Sequence, residues 1–362
     1  MTRKIYEVNP EPRFDSRLRQ QKLPAWQPIL TAGTVIPTFF VLGIVFLAIG
    51  VGLYVSSRNI QESIFDYTAN CTNASAVDAE RVPCNEYVKR NDSDKAQPCV
   101  CLVGLDLQEM KGEVFFYYGL SNYYQNHRRY VKSRSDSQLL GNLDSTDDCS
   151  PYEIISPTNS TKYAPCGAIA NSMFSDTFKI LYTAPGQTKS EEVSLTHEGI
   201  AWDTDYRHKF KNPEPTDNLK EAFKNYAKPP AWKKAIYELD PNDKQNNGFL
   251  NADFIVWMRT AALPTFRKLY RRLKQQGTFK DGLPAGNYKA EIEYNYAVES
   301  FGGRKRLIVS TASWVGGKND FLGVAYMVVG CLCIILGVLF LGIHLKFGNS
   351  LTDMSNITGG RA

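Results

Sequence analysis

The chain has 362 residues, 43% of them hydrophobic, and its 42 basic and 37 acidic side chains leave a net charge of +5. That length admits one large domain or two ordinary ones. The charge excess is too small to call for a polyanionic partner. What sets the chain apart is where its apolar residues fall.

The first element is a span. Between Lys22 and Arg58 there is no Asp, Glu, Lys or Arg, and "VIPTFFVLGIVFLAIGVGLYV" runs 21 residues from Val35 to Val55. At the rise of an α-helix this covers about 30 Å, the thickness of a bilayer core. The run is too long and too far from the N-terminus for a cleaved signal peptide, and no small-residue cleavage site follows it. An uncleaved signal-anchor is expected. Arg3, Lys4, Arg13, Arg17, Arg19 and Lys22 precede the span and place the N-terminus in the cytosol. Trp26 and Tyr54 bracket it at positions suited to membrane-interface rings.

Beyond the span, residues 66 to 98 are polar and read as loop. Six of the eight cysteines follow the first span and precede the second: Cys71, Cys84, Cys99, Cys101, Cys149 and Cys166. An even number suits disulfides in an oxidising compartment, although six cysteines admit many pairings. Sequons at Asn70, Asn73, Asn91 and Asn159 predict N-linked glycans on the same stretch. A fifth, at Asn356, lies past the second span and is expected to stay unmodified.

"YYGLSNYYQNHRRYVKSRSDSQL", residues 117 to 139, mixes tyrosines with Arg128, Arg129, Lys132 and Arg134. In isolation that composition suits nucleic acid. On the far side of a membrane nucleic acid is not a partner, so the tyrosines are expected in a core. The cations then face acids, a protein partner or anionic headgroups. "KGEVFFYYGL" and "EEVSLTHEGIAW" are strand candidates.

"DKQNNGFLNADF", residues 243 to 254, has the outline of a calcium loop, but its twelfth position is Phe254 and the bidentate carboxylate is missing. A polar turn is the expectation. "TFRKLYRRLKQQG", 265 to 277, follows Pro264, ends at Gly277 and reads as an amphipathic helix with Phe266, Leu269, Tyr270 and Leu273 on one face. Residues 289 to 298, "KAEIEYNYAV", alternate as a half-buried strand. With "FGGR" as its turn and "KRLIVSTASW" as its return, the expectation is a hairpin leading into the second span. Trp314 stands a few residues before that span, a position suited, like those of Trp26 and Tyr54, to a membrane-interface ring.

The second span, Phe321 to Leu345, also lacks Asp, Glu, Lys and Arg, and it returns the C-terminus to the cytosol. The predicted organisation is a cytosolic tail over 1–33, a span over 34–55, a lumenal or extracellular domain over 56–320, a span over 321–345 and a cytosolic tail over 346–362. Gly330 and Gly337, seven apart, offer a face for close approach of a partner helix. Cys331 and Cys333 behave as small hydrophobes there.

Chemistry is not in evidence. The sequence has no G-x-S-x-G, H-E-x-x-H, G-x-x-x-x-G-K-[ST] or Asp-Lys-Thr-Gly motif. Cys99 and Cys101 find no paired histidines to complete a metal site, and the spans carry no acidic or basic group for an ion path. No catalytic residue, cofactor or metal is expected. A two-span ligand-gated channel subunit is the alternative, but its pore would need polar residues that these spans lack.

"LPAWQPILTAG", "YYGLSNYYQNHRRYVKSR", "PCGAIANSMFSDTF", "NNGFLNADFIVWMRTAALPTFRKLYR", "LPAGNY" and "GGKNDFLGVAY" resemble the cell-division-control protein 50, or ligand-effect modulator, family. The resemblance runs from about residue 20 to about residue 347. It implies a membrane protein with two transmembrane helices and a large β-sandwich-like, disulfide-bonded, glycosylated ectodomain. It further implies a β-subunit in a heterodimer with a type-IV P-type ATPase, with contacts to membrane lipids. That subunit acts as a chaperone for export from the endoplasmic reticulum and supports phospholipid transport to the cytosolic leaflet. Locations implied are endoplasmic reticulum, Golgi, endosome or plasma membrane. By the same resemblance Cys71 pairs with Cys101, Cys84 with Cys99, and Cys149 with Cys166. Trp26, Arg128, Arg129, Gly330 and Gly337 are the residues expected to meet the partner.

Overall fold

A computed structural model describes residues 31–72, 83–90 and 99–348. The chain divides into two units: two long helices up to Tyr54 and from Phe321, and a central domain, Val55–Asp320. Each is taken by itself.

Helix α1, Ala32–Arg58, has 27 residues, and a second long helix, Asp320–Phe347, has 28. Both are long and apolar enough to cross a membrane, and they expose Val, Ile and Leu on most of their surfaces. Such an all-round apolar surface is stable only against lipid or protein. Glycines make the contact between the two helices. A Cβ on Gly43 would stand 3.0 Å from the Gly330 carbonyl oxygen and 2.6 Å from Ile334 Cγ1. A Cβ on Gly50 would stand 2.8 Å from the Met327 nitrogen, and one on Gly323 equally close to the Tyr54 nitrogen. Gly337 lies under the Phe40 ring, whose neighbour Phe39 meets Phe340 edge-on at 5.3 Å. The seven-residue spacing repeats the contact every two turns.

Gly330 and Gly337, expected to meet a partner, are buried between the chain's own helices. Gly330→Leu is expected to cost about 1–3 kcal/mol by overpacking. Gly342→Leu, where a Cβ meets nothing within 4 Å, is expected to be neutral. Thermal unfolding in detergent checks the pair.

The central domain is built on two antiparallel sheets. The strands of these two sheets are β1 (Glu62–Asp66), β2 (Cys99–Leu105), β3 (Val114–Ser121), β4 (Thr177–Thr183), β5 (Glu191–Glu192), β6 (Leu195–Thr196), β7 (Phe266–Leu273), β8 (Asn287–Tyr294) and β9 (Arg304–Thr311). One sheet has the order β1-β9-β3-β7-β6 and the other β2-β8-β4-β5. Alternation drives the second sheet: Tyr288, Ala290, Ile292 and Tyr294 of β8 and Phe178, Ile180 and Tyr182 of β4 point inward. The inner faces meet where Phe178 lies edge-on to Tyr270 at 5.1 Å, with the Phe178 backbone nitrogen donating to the Tyr270 hydroxyl at 3.1 Å. Two stacked, inward-packed sheets make a β-sandwich.

Three expectations change here. Residues 266–273 are strand β7, not a helix; β7 pairs with β3 through a bulge between Leu269 and Arg271. The bulge shifts the phase, so Lys268, Tyr270 and Leu273 point inward at intervals of two and three, a spacing that imitates a helix. The β8 and β9 strands are not a hairpin. They lie in different sheets, and the connection through Gly302, at φ +62°, crosses between them. "EEVSLTHEGIAW" is not one strand, since β5 and β6 also belong to different sheets.

Disulfides join Cys71 to Cys101, Cys84 to Cys99 and Cys149 to Cys166. The first two are nested on β2, and the third serves the segment described next.

Candidate functional site

Residues 122–139 carry the exposed cations, and their backbone is fastened at both ends. Asn122 takes the left-handed conformation at φ +58°, which its short polar side chain tolerates. The Tyr123 nitrogen donates to the Pro264 carbonyl at 3.0 Å, and Asn126 Nδ2 to the Ala262 carbonyl at 2.8 Å. Gln125 is fully buried, and its Oε1 accepts from the Ala261 nitrogen at 2.9 Å. The short helix Arg128–Lys132 then ends at Ser133, whose Oγ donates to the Ser150 carbonyl at 2.7 Å and accepts from the Ala168 nitrogen at 2.8 Å.

Gln138 closes the other end. Its Nε2 donates to the Tyr163 carbonyl at 2.9 Å, and its Oε1 accepts from the Cys166 nitrogen at 2.8 Å. Gly167 follows the disulfide at φ +96°, where a Cβ would collide with the Ser133 carbonyl oxygen. Only glycine suits that position. The next turn, Ala168–Asn171, offers its carbonyls to two buried indoles: Trp257 Nε1 bonds Ile169 O, and Trp232 Nε1 bonds Ala170 O, both at 2.7 Å. Three stretches far apart in sequence, 122–139, 165–176 and 246–266, thus form one interlocked body.

Within it Tyr118, Tyr123 and Tyr130 pack inward, whereas Tyr124 is exposed beside the cations, against the expectation that these tyrosines all lie in a core. Tyr118 stacks on Phe174 at 4.1 Å, Tyr123 meets Phe301 at 5.3 Å, and the Tyr130 hydroxyl shares a 2.8 Å hydrogen bond with Ser172 Oγ. Burial drives the Tyr130 pKa upward, so this hydroxyl stays neutral. Arg128, Arg129 and Lys132 are exposed and have no ion-pair partner among the described residues. Arg134 is paired with Asp136 at 3.0 Å. Three cations on a braced five-residue helix can receive carboxylates or phosphates. Among the described residues no cluster of metal-ligating side chains adjoins them.

Sequence reasoning missed the buried charges. Lys268 of β7 points under the Trp257 ring, 4.9 Å from its centre. Its ammonium donates to the carbonyls of Val256 at 3.0 Å, Trp257 at 2.7 Å and Arg259. Those are the loose carbonyls at the end of helix α2, Ala252–Met258, so the lysine serves as its C-terminal cap. Burial pushes the Lys268 pKa down to about 7. Asp205, also buried, accepts from Arg259 Nε at 2.5 Å and pairs with Lys209 Nζ at 2.9 Å. Burial raises its pKa, but the hydrogen bonds from Arg259 and Lys209 outweigh that and leave it lowered.

The other sequence candidates are readily placed. The sulfurs of Cys71, Cys84 and Cys101 lie within 4.8 Å of one another, but all are in disulfides and cannot ligate a metal. In the stretch 243–254 the polar side chains serve the backbone: Asp243 accepts from Gln245 N, and Asn251 caps α2 by accepting from Phe254 N at 3.1 Å. Asn251→Ala is expected to cost about 1 kcal/mol, read as a lowered thermal midpoint. Asn70 and Asn159 are exposed. Trp26, Asn73 and Asn91 lie outside the described residues.

Residues 53–350 match the LEM3 (ligand-effect modulator 3) family / CDC50 family. Cell cycle control protein 50A of Mus musculus is 51% identical over 350 residues, which covers 95% of this chain and 92% of that relative. Cell cycle control protein 50B of Homo sapiens is 45% identical over 346 residues, 92% of this chain and 94% of the relative. Putative ALA-interacting subunit 2 of Arabidopsis thaliana is 39% identical over 333 residues, 91% and 87% respectively. The family match takes in the sandwich, the interlocked body and the second long helix, and on that ground the chain belongs to the LEM3/CDC50 family.

Proposed function

We propose that this chain is the non-catalytic accessory subunit of a type-IV P-type ATPase that moves phospholipids to the cytosolic leaflet. In this reading it forms a heterodimer with the ATPase, has both tails in the cytosol and holds the sandwich on the lumenal or extracellular side. The subunit supports folding and export of its partner from the endoplasmic reticulum, whereas phosphorylation and lipid selection belong to the ATPase. Family membership over nearly the whole chain carries the proposal. The plant relative is named as an ALA-interacting subunit. Arg128 and Arg129, exposed and without an ion-pair partner among the described residues, are suited to acidic groups on such a partner.

Purification in a mild detergent tests this. Recovery of a multi-span ATPase in equal amount supports it; a homotrimer of this chain alone overturns it in favour of a channel subunit. A second expected result concerns glycans on Asn70 and Asn159. Expressed without its ATPase, the chain keeps endoglycosidase-sensitive glycans, and co-expression makes them resistant. Resistant glycans on the lone chain count against joint export.

A further inference from the structure

The central domain treats its tryptophans unequally. Trp232 and Trp257 are buried with their indole N–H groups bonded to carbonyls. Trp314 is 88% exposed, more than any other large hydrophobic side chain among the described residues. Its indole has no hydrogen-bond partner among them. An indole left in water forfeits its apolar contact area; Trp202, 65% exposed, has the Arg259 guanidinium over its ring at 5.0 Å, whereas Trp314 is more exposed still.

The ring is not on a loose loop. Ser313 and Gly316 exchange backbone hydrogen bonds of 2.9 Å each, and the Val315 nitrogen donates to Ser313 Oγ at 3.2 Å. Gly316 closes the turn at φ +119°, open to glycine alone, and Gly317 lies so close to Arg267 that a Cβ would stand 2.7 Å from the guanidinium. Trp314 and the exposed Val315 therefore form the tip of a tight, braced turn.

Its position identifies what covers it. Only Lys318 and Asn319 separate the turn from the apolar helix that begins at Asp320. Asn319 N donates to Ser57 Oγ at 3.0 Å, and that hydroxyl donates to Asp320 at 2.5 Å, so the two points where the chain leaves the domain are tied together. Lys318 beside the turn is exposed, and Phe321 in the first helical turn is 79% exposed. An indole, a short apolar neighbour and a cation at the mouth of a membrane helix match the chemistry of the headgroup–acyl boundary, where an apolar ring body and a polar N–H are both satisfied. We infer that the Trp314–Val315 turn inserts into the interfacial layer of the bilayer and anchors the domain there. This rests on the helices crossing a membrane and not on the identity of any partner.

The test uses the full chain in nanodiscs, with Trp26→Phe and Trp202→Phe leaving Trp232, Trp257 and Trp314. Discs are made of phosphatidylcholine with or without bromine at shallow acyl positions. The expected result is a loss of emission in brominated discs that disappears when Trp314→Phe is added, together with protection of Trp314 from aqueous iodide. Equal emission in both discs with quenching by iodide places Trp314 in water and overturns the inference. Protection from both quenchers shows that protein covers the ring and overturns it as well. Trp314→Phe is a surface change, so folding is expected to survive, which the unchanged buried-tryptophan emission verifies.

Discussion

Asp176→Asn is expected to destabilise the central domain by about 3–5 kcal/mol, because it strands an ammonium in the core of the sandwich. Lys305 and Asp176 both have fully buried side chains, and their charged atoms are 2.6 Å apart. Asp176 also accepts from the Tyr67 hydroxyl at 2.8 Å and from the backbone nitrogens of Asn295 and Tyr296 at 2.6 Å each. Lys305 donates to the Tyr296 carbonyl at 2.6 Å and sits 3.0 Å from the centre of the Tyr294 ring. The two sides are unequal. Without the lysine, the carboxylate keeps three donors, which stabilise its charge. Without the carboxylate, the ammonium keeps a carbonyl and a ring face. Lys305→Met is therefore expected to cost less than Asp176→Asn, a ranking that thermal unfolding of the full chain in detergent can reverse.

The buried lysines also set a pH profile. Burial pushes Lys305 down to about 8 against the opposing pull of Asp176, and Lys268 down to about 7. A free lysine titrates near 10.4. Between those values the unfolded chain binds more protons than the folded one, so stability rises with pH across that window. Tyr67, Tyr118, Tyr130, Tyr294 and Tyr296 are shifted upward by burial. Above about pH 10 the unfolded chain loses protons that these folded phenols keep, and stability falls again. The midpoint of thermal unfolding is expected to climb from neutral pH and turn over near the tyrosine range. Lys268→Met is expected to flatten the lower part of the climb.

What the sequence revealed follows from how local each signal is. The two long helices were legible because a bilayer requires an uninterrupted apolar run, and Val35–Val55 supplies one. Strand β8 was legible because Tyr288, Ala290, Ile292 and Tyr294 keep the two-residue period without interruption. Strand β7 was not, because one inserted residue near Tyr270 turned its pattern into that of a helix. The turn at Gly302 signals a reversal, but not whether the strand after it stays in the same sheet. Lys305 and Asp176 are 129 residues apart, and nothing near either marks it as buried. The glycines could be read as a close-packing face, yet sequence alone could not tell that the partner was the chain's other helix. Disulfide pairing came from family resemblance and not from spacing. The cationic segment was visible as composition, whereas its rigidity depends on Gln138, Gly167 and Ser133 meeting across the fold.

Replacing Cys149 and Cys166 together with serine is expected to be the second most damaging change. The bridge closes a separation of 17 residues, and the chain-entropy relation gives about 3 kcal/mol for a loop of that size. No other disulfide spans this segment. Removing Cys84–Cys99 instead leaves the enclosing Cys71–Cys101 bridge to restrain the same stretch, so the inner bridge is expected to cost less. The two losses also differ in where they act. Cys149 and Cys166 flank the carbonyls and nitrogens that hold Ser133 and Gln138. With the bridge gone, the helix Arg128–Lys132 loses its brace while the two sheets retain their pairing. Hydrogen exchange is expected to accelerate first in 127–140 and 165–172, before β3, β8 or β9. If Arg128 and Arg129 receive acidic groups of the ATPase, the same variant loses the partner in a pull-down at temperatures where the sandwich is still folded. Retention of the partner with an unbraced segment would remove these arginines from the interface and leave the helices and the rest of the domain to make it.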